Sequence, residues 1–415
     1  MTTEQLLPVA DAVARILQRA GVLAPRVVHL REAVGLVLAT DVVSEVNLPG
    51  FDNSAMDGYA VSASDVAAAR PGHPVALRLA GEVAAGSVFT GRVEPGTAVR
   101  IMTGAPIPAG ADTVVEVEDA VVDGDIVLLG RAAETGRSFR LTGSDLRSGD
   151  LALKGGTFLG PAQVALLAAV GAASVWCFPR PRVAVVATGD ELVDAGRPLG
   201  PGQVYDIVTP GMRAAVEMAG GEVLPVRRAV DTADDVRRAL REAAEADVVL
   251  SVAGVSMGAH DLVRPAVEEL GRIDFWRVAM RPGKPLAVGE VLGKPFVGLP
   301  GNPVSALVGF EVFVLPLLLA MSSRSGWARP RAQARLAVGI DTPVGLRTYV
   351  RAKLERTSAG WTAHPLEAQG SHQLRALALA DSLLDIPADA RLLEAGAMVA
   401  AILLNQPPAP TAVTV

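Results

Sequence analysis

The sequence predicts a multidomain α/β protein built around a doubly wound domain, and three observations carry that reading. The chain has 415 residues, beyond the roughly 250–300 at which a single hydrophobic core stops growing, so two to four domains are expected. From about residue 180 to 280, strand-length apolar runs alternate with helical stretches, the signature of a doubly wound sheet. On either side the pattern turns short and β-rich, punctuated by Gly and Pro.

An amphipathic helix is predicted over residues 4–20, where Leu6, Leu7, Ala10, Val13, Ile16 and Leu17 keep helical spacing before Gly21. Short strands follow at Val83–Val88, Ala98–Met102, Thr113–Val117 and Ile126–Leu129. A helix over Pro161–Val170 opens on a proline suited to the first turn. At Pro179-Arg-Pro181 the character changes. Strands are expected at Val183–Ala187, Glu222–Val226, Asp247–Val252 and Ile273–Val278, with helices at Gly211–Ala219, Ala233–Ala246 and Leu262–Leu270 between them. A further helix is expected at Val304–Met321. Its apolar run, Ala306–Met321, has 16 residues including Glu311 and Pro316, short of the about 20 that span a bilayer, so it reads as buried. After the breaker-rich Ser322–Pro330, alternation at Ala334–Ile340, Thr348–Leu354 and Met398–Leu404 predicts a small C-terminal β domain, and the tail segment Gln406-Pro-Pro-Ala-Pro-Thr411 reads as disordered.

Composition excludes several functions. Half the residues are hydrophobic and a fifth are charged, with a net charge of −6; that is globular, and it argues against a nucleic-acid partner, which demands a basic face. The N-terminus has no basic segment leading into an apolar stretch, so neither a signal peptide nor a membrane span is expected. The single cysteine, Cys177, excludes a disulfide framework and reads as a small buried apolar residue. These features point to the cytoplasm. No histidine pair has zinc-ligand spacing, and neither a Walker-type phosphate loop nor a Gly-x-Ser-x-Gly elbow is present, which removes kinase and hydrolase readings.

Four loops follow four strand candidates of the α/β domain: Thr188-Gly-Asp-Glu191, Ala253-Gly-Val-Ser-Met-Gly-Ala-His-Asp261, Arg281-Pro-Gly-Lys-Pro285 and Gly298-Leu-Pro-Gly-Asn-Pro303. Ligands bind outside the carboxyl ends of such strands, so these loops are expected along one rim. Singly, each reads first as a turn, and helix capping is the plain reading of Asp190 and Asp261. Together they suit a phosphate-bearing ligand. Glycines let the backbone approach and donate amides to an anion, while Arg281 and Lys284 can hold oxyanions. Carboxylates among such elements imply a hard divalent cation bridging them to phosphate oxygens. In the N-terminal half, Leu48-Pro-Gly-Phe-Asp-Asn-Ser-Ala-Met-Asp-Gly-Tyr-Ala60 presents Asp57, Arg100-Ile-Met-Thr-Gly-Ala-Pro106 offers the Thr103 hydroxyl, and Arg140-Leu-Thr-Gly-Ser-Asp145 a further carboxylate. By spacing alone these three are weak signals.

Taken in order, these segments, with Gln369-Gly-Ser-His-Gln-Leu-Arg375, resemble the molybdopterin molybdenumtransferases (MoeA and the gephyrin E-domain) over about residues 4–404. The resemblance implies a transferase of molybdenum-cofactor biosynthesis that takes adenylylated molybdopterin and molybdate and releases AMP and the cofactor, with Mg²⁺. It implies an elongated homodimer whose active cleft lies between the α/β domain of one subunit and the β-rich half of the other. The implied domains are a linker and dimerisation domain (23–49 with 143–179), a β-rich insertion (50–142), a MogA-like molybdopterin-binding α/β domain (1–22 with 180–328) and a C-terminal β domain (329–415).

By motif position the resemblance assigns Asp57, Thr103, Asp145, Glu191, Asp231 and Asp261 to the catalytic cleft, with Glu191, Asp231 and Asp261 handling metal and pyrophosphate. It implies substrate contacts from Gly189, Asp190, Gly254, Ser256, Gly258, Pro300 and Pro303, and a molybdate site of Arg281, Lys284, Arg351 and Ser371. Three positions depart from the family pattern: Arg281 stands where lysine is usual, Ser144 where glutamate is common, and Val208 where asparagine often follows Tyr205-Asp206. The alternatives are a molybdopterin adenylyltransferase, against which the additional terminal domains argue, and a weakly active paralogue or interaction scaffold. An upstream adenylyltransferase is a further possible partner.

Overall fold

The computed structural model describes residues 6–226, 228–253 and 262–410. The loop residues Gly254, Ser256, Gly258 and Asp261 lie outside this set. The chain divides into two compact units, Val27–Cys177 and a second drawn from both ends, with boundaries after Arg26 and before Phe178.

In the Val27–Cys177 unit, a six-stranded sheet runs in the order Thr113–Glu116, Gly58–Val61, Thr97–Ile101, Val75–Val83, Ile126–Leu129, Ala120–Asp123. The strand expected at Val83–Val88 lies instead at Val75–Val83, because Ser87 N closes a turn on Ala84 O and Gly86 takes a φ of +82°. Cys177 packs in a separate small core with Val28, Leu38, Leu159 and Leu167, as its apolar context predicted, and burial pushes its thiol up to about 11.

In the other unit, Glu222–Leu224, Arg182–Ala187, Val248–Val252 and Lys294–Leu299 form a parallel sheet, extended by the antiparallel Pro285–Val291 and then Gly271–Arg277. Both faces are covered, which the alternation of side chains makes plain. Val183 and Val185 enter one core with the helices Val9–Leu17, Val208–Met218 and Pro303–Met321, while Ala184 and Val186 enter another with Ala233–Ala243 and Val263–Leu270. Each such buried valine contributes about 1.5–3 kcal/mol relative to exposure. The first helix is shorter than the predicted 4–20. Proline at position 8 holds the preceding residue extended, and Leu7 bridges to Val278 instead.

The helix Pro303–Met321 is 19 residues long and apolar enough to span a membrane by composition, yet 78% of its most apolar window is buried within the protein. Its π-turn, Phe310–Val314, lies just before Pro316, which cannot donate to the ladder. The C-terminal strands close on themselves: Arg347–Thr357, Gly360–Pro365, Arg331–Leu336, Met398–Leu403 and Ser382–Ile386, which returns to Arg347–Thr357. Residues 406–410 are more ordered than their composition predicts. Gln406 O accepts from Arg329 Nη1 (2.7 Å), and Ala409–Pro410 pairs with Trp327–Ala328.

Candidate functional site

The rim of the α/β sheet gathers the predicted loops 188–191, 281–285 and 298–303, because the carboxyl ends of the parallel strands share it with the start of the antiparallel Pro285–Val291. Arg182–Ala187 delivers Thr188-Gly-Asp-Glu191. Gly189, at φ +140°, adopts a backbone that other residues rarely reach, and a Cβ there would meet the Glu191 carboxylate at 2.7 Å. Glu191 is exposed, and its carboxylate makes no hydrogen bond among the described residues. Asp190 caps no helix. Its Oδ1 accepts from Asp231 N (3.1 Å) while Asp231 Oδ2 accepts from Asp190 N (3.3 Å), so the two acids clasp neighbouring loops. Beside them opens a cleft of about 530 Å³ lined by Gly189, Asp190, Arg197 and Arg228. Ala253, at φ +68°, starts the next loop in a strained left-handed backbone. Pro300 and Pro303 are buried, the latter as the first helical residue after Asn302.

A second cleft, of about 360 Å³, is built where the α/β sheet meets the C-terminal strands. Met280–Arg281 pairs in parallel with Arg347–Thr348, which stitches the Arg281-Pro-Gly-Lys-Pro285 loop to a strand some seventy residues away in sequence. The lining includes Arg281, Lys284 and Ser371, three of the four predicted oxyanion residues, together with Asn302, Ser305 and Gln369. None of the lining residues is acidic, and neither cation has a carboxylate partner among the described residues. Asn302 and Gln369 lie inside motifs that the sequence reading singled out but were not assigned there; Ser305, in Pro303-Val-Ser305, continues one.

Arg351 is not on that lining. It is 1% exposed, donating Nη2 to Ala368 O (2.7 Å), while its buried Nε–H has no partner among the described residues. Burial alone holds its guanidinium below the ordinary arginine range.

In the Val27–Cys177 unit the three weak motifs converge. Asp57 Oδ1 accepts from both the amide (2.7 Å) and hydroxyl (2.6 Å) of Thr103. The Thr103 hydroxyl, then the amide, hold the Asp57 carboxyl below the usual carboxylate range, and Oδ2 takes no hydrogen bond among the described residues. Asp52 repeats the arrangement with Thr142 (both 2.7 Å), and Ser54 pairs through its backbone with Gly104 N and Ala105 O, so the first segment is tied to both others. Asp145 N donates to Leu48 O, leaving its carboxylate exposed. Of the departures, Ser144 is exposed beside Asp145, and Val208 is buried at the start of its helix, capped by Asp206 Oδ1.

Comparison with known proteins places this geometry. Three family models match in order: "MoeA N-terminal region (domain I and II)" over residues 7–171, "Probable molybdopterin binding domain" over 184–320, and "MoeA C-terminal region (domain IV)" over 333–404. The chain is 42% identical over 379 residues to molybdopterin molybdenumtransferase 2 of Mycobacterium tuberculosis H37Rv, covering 90% of this chain and 93% of that protein. This chain belongs to the MoeA family. The Haemophilus influenzae molybdopterin molybdenumtransferase is 36% identical over 83% of this chain and 85% of its own length. A crystal structure of a molybdopterin biosynthesis MoeA protein from Pyrococcus horikoshii matches with a TM-score of 0.78 at 33% identity, covering 97% of this chain and all of that one. The MoeA architecture here combines an α/β domain, matched by the "Probable molybdopterin binding domain" model, with a C-terminal β domain matched by the MoeA C-terminal model.

Proposed function

We propose that this chain is a molybdenum insertase: it takes molybdate and adenylylated molybdopterin, and releases AMP and the molybdenum cofactor. The observation that carries the reading is the cleft holding Arg281, Lys284 and Ser371, with no carboxylate among its described lining residues, backed by a buried Arg351 whose Nε–H lacks a partner among the described residues. A tetrahedral dianion suits two cations without a carboxylate partner among the described residues, together with a hydroxyl donor. Lys284 supplies a compact charge and Arg281 a planar fork, so the arginine keeps the charge of the family's usual lysine while changing its contact geometry.

The pyrophosphate end of the substrate is assigned to the Thr188–Glu191 and Asp231 loops. Mg²⁺ fits their chemistry. A hard cation bound by one or two carboxylates and substrate phosphates needs no all-protein cage, and none of three or more groups is found among the described residues. Glu191 and Asp231 would hold it, with Asp261 the proposed third ligand, and it would neutralise charge on the phosphoanhydride. Asp57, braced by Thr103, and Asp145 present carboxylate oxygens to the substrate. Loss of AMP is then coupled to capture of molybdenum by the pterin dithiolene. A homodimer is supported by apolar residues left exposed on the Val27–Cys177 unit, including Val27, Val43, Leu151 and Trp176. Action in the cytoplasm, with substrate supplied by an upstream adenylyltransferase, completes the proposal.

The test is AMP release from adenylylated molybdopterin with Mg²⁺ and molybdate. Molybdate-dependent release that Glu191→Gln abolishes, in a variant that folds normally, is the expected result. Absence of molybdate dependence in the parent chain overturns the insertase reading, and consumption of ATP with free molybdopterin would establish an adenylyltransferase instead.

A further inference from the structure

Gln369 lies on the wall of the oxyanion cleft, yet its amide points its hydrogen bonds elsewhere. Oε1 accepts from Arg351 N (3.1 Å), and Nε2 donates to the carbonyls of Arg351 (2.9 Å) and Leu366 (2.6 Å). This is the two-way pairing that a residue of a neighbouring strand gives, supplied here by a side chain. It grips the strand Arg347–Thr357 at the residue whose guanidinium is buried behind the cleft. The same loop closes on Arg351 at two further points: Leu366 N donates to Arg351 O (2.9 Å), and Ala368 O accepts from Nη2 (2.7 Å). Two residues beyond Gln369, Ser371 reaches the cleft, and its carbonyl accepts from Val304 N (3.2 Å) at the start of the long helix.

We propose that Gln369 is a positioning residue for oxyanion binding: its amide sets the register of the 366–371 loop on the Arg351 strand and so fixes Ser371 relative to Arg281 and Lys284. The inference rests on reading the cleft as the molybdate site. The residue type follows from the geometry. Asparagine is one methylene short of reaching both backbone groups of Arg351. Glutamate would lose the donor that two carbonyls require and would place a carboxylate on the wall of an anion cleft. Oxyanion contacts depend steeply on placement, and a 1 Å displacement of a positioning element costs on the order of 10²-fold.

The experiment measures binding of molybdate alone to the full-length chain by equilibrium dialysis, alongside steady-state AMP release, for the parent, Gln369→Met and Gln369→Glu. Methionine keeps the length and bulk but removes all three hydrogen bonds. We expect Gln369→Met to raise the Kd and the KM for molybdate about tenfold while kcat at saturating molybdate stays within about twofold, the pattern of lost ground-state and transition-state binding alike. Gln369→Glu should bind more weakly still, with the deficit widening as salt is lowered. Should the methionine variant fail to fold, Gln369→Asn decides: it keeps a neutral amide but is one methylene short, so it should weaken molybdate binding with the same salt dependence as the parent. Molybdate binding by the folded variants as tight as the parent's overturns the positioning role. A parent chain that binds no molybdate overturns instead the reading of the cleft.

Discussion

Replacing Arg351 by methionine separates function from stability in one residue. The side chain is 1% exposed, and no carboxylate raises its pKa against burial. Its one hydrogen bond runs from Nη2 to Ala368 O, and Nε–H is buried without a partner among the described residues. Taking such a cation out of water carries an effective penalty of several kcal/mol after relaxation. A charge-assisted hydrogen bond returns about 1.5–3 kcal/mol of that. Ala368 is only half-buried, so water can replace the lost donor when the arginine is gone. The balance favours methionine by about 0–2 kcal/mol, in line with buried ionic groups whose apolar replacements are neutral or stabilising. Native-state hydrogen exchange at Val350 and Ala352 measures this locally, without requiring the whole chain to unfold in one step. The opening free energy of those amides should hold or rise in Arg351→Met, while molybdate binding by equilibrium dialysis weakens more than tenfold. A fall of about 3–5 kcal/mol, the scale of orphaning one member of a buried ion pair, would refute the reasoning and make Arg351 a structural residue.

Two more outcomes follow from the same geometry. Asp57→Asn keeps the Oδ1 acceptor that Thr103 binds twice but removes the charge at Oδ2, so kcat for AMP release should fall about 10²–10³-fold with an unchanged melting temperature; unchanged kcat would reduce Asp57 to a loop brace. Asp385 in the closed β ring is buried, which alone would raise its pKa, but hydrogen bonds from Arg347 (2.6 and 2.7 Å) and Arg331 (2.8 Å) prevail and hold it below the usual range. Because the folded pKa is depressed, its contribution is complete above the unfolded value near about 3.9 and is lost as pH falls through the folded one. Urea titrations should therefore find Asp385→Asn less stable by about 3–5 kcal/mol at pH 7, with the gap narrowing toward pH 3; a gap independent of pH would count against the ion cluster.

Much of the fold was legible because it rests on local periodicity. Val183–Ala187 and Asp247–Val252 announce themselves as strands buried on both faces, and the structure divides their side chains between two cores. The long apolar helix was legible as buried from its length, Glu311 and Pro316. Errors fell where local pattern competes with backbone chemistry, as at Pro8 and Gly86, or where a partner strand decides order, as for Ala409–Pro410. The sequence by itself determined the family, through motifs whose order survives any folding, and with it the residue types of the cleft. Only the tertiary structure decided how those residues stand. Arg281 reaches the C-terminal strands because Met280–Arg281 pairs with Arg347–Thr348, and Arg351 lies behind the cleft wall rather than on it because the 366–371 loop closes over its strand. Spacing along a chain carries no information about pairings between residues tens of positions apart, nor about which carbonyl a glutamine amide will find.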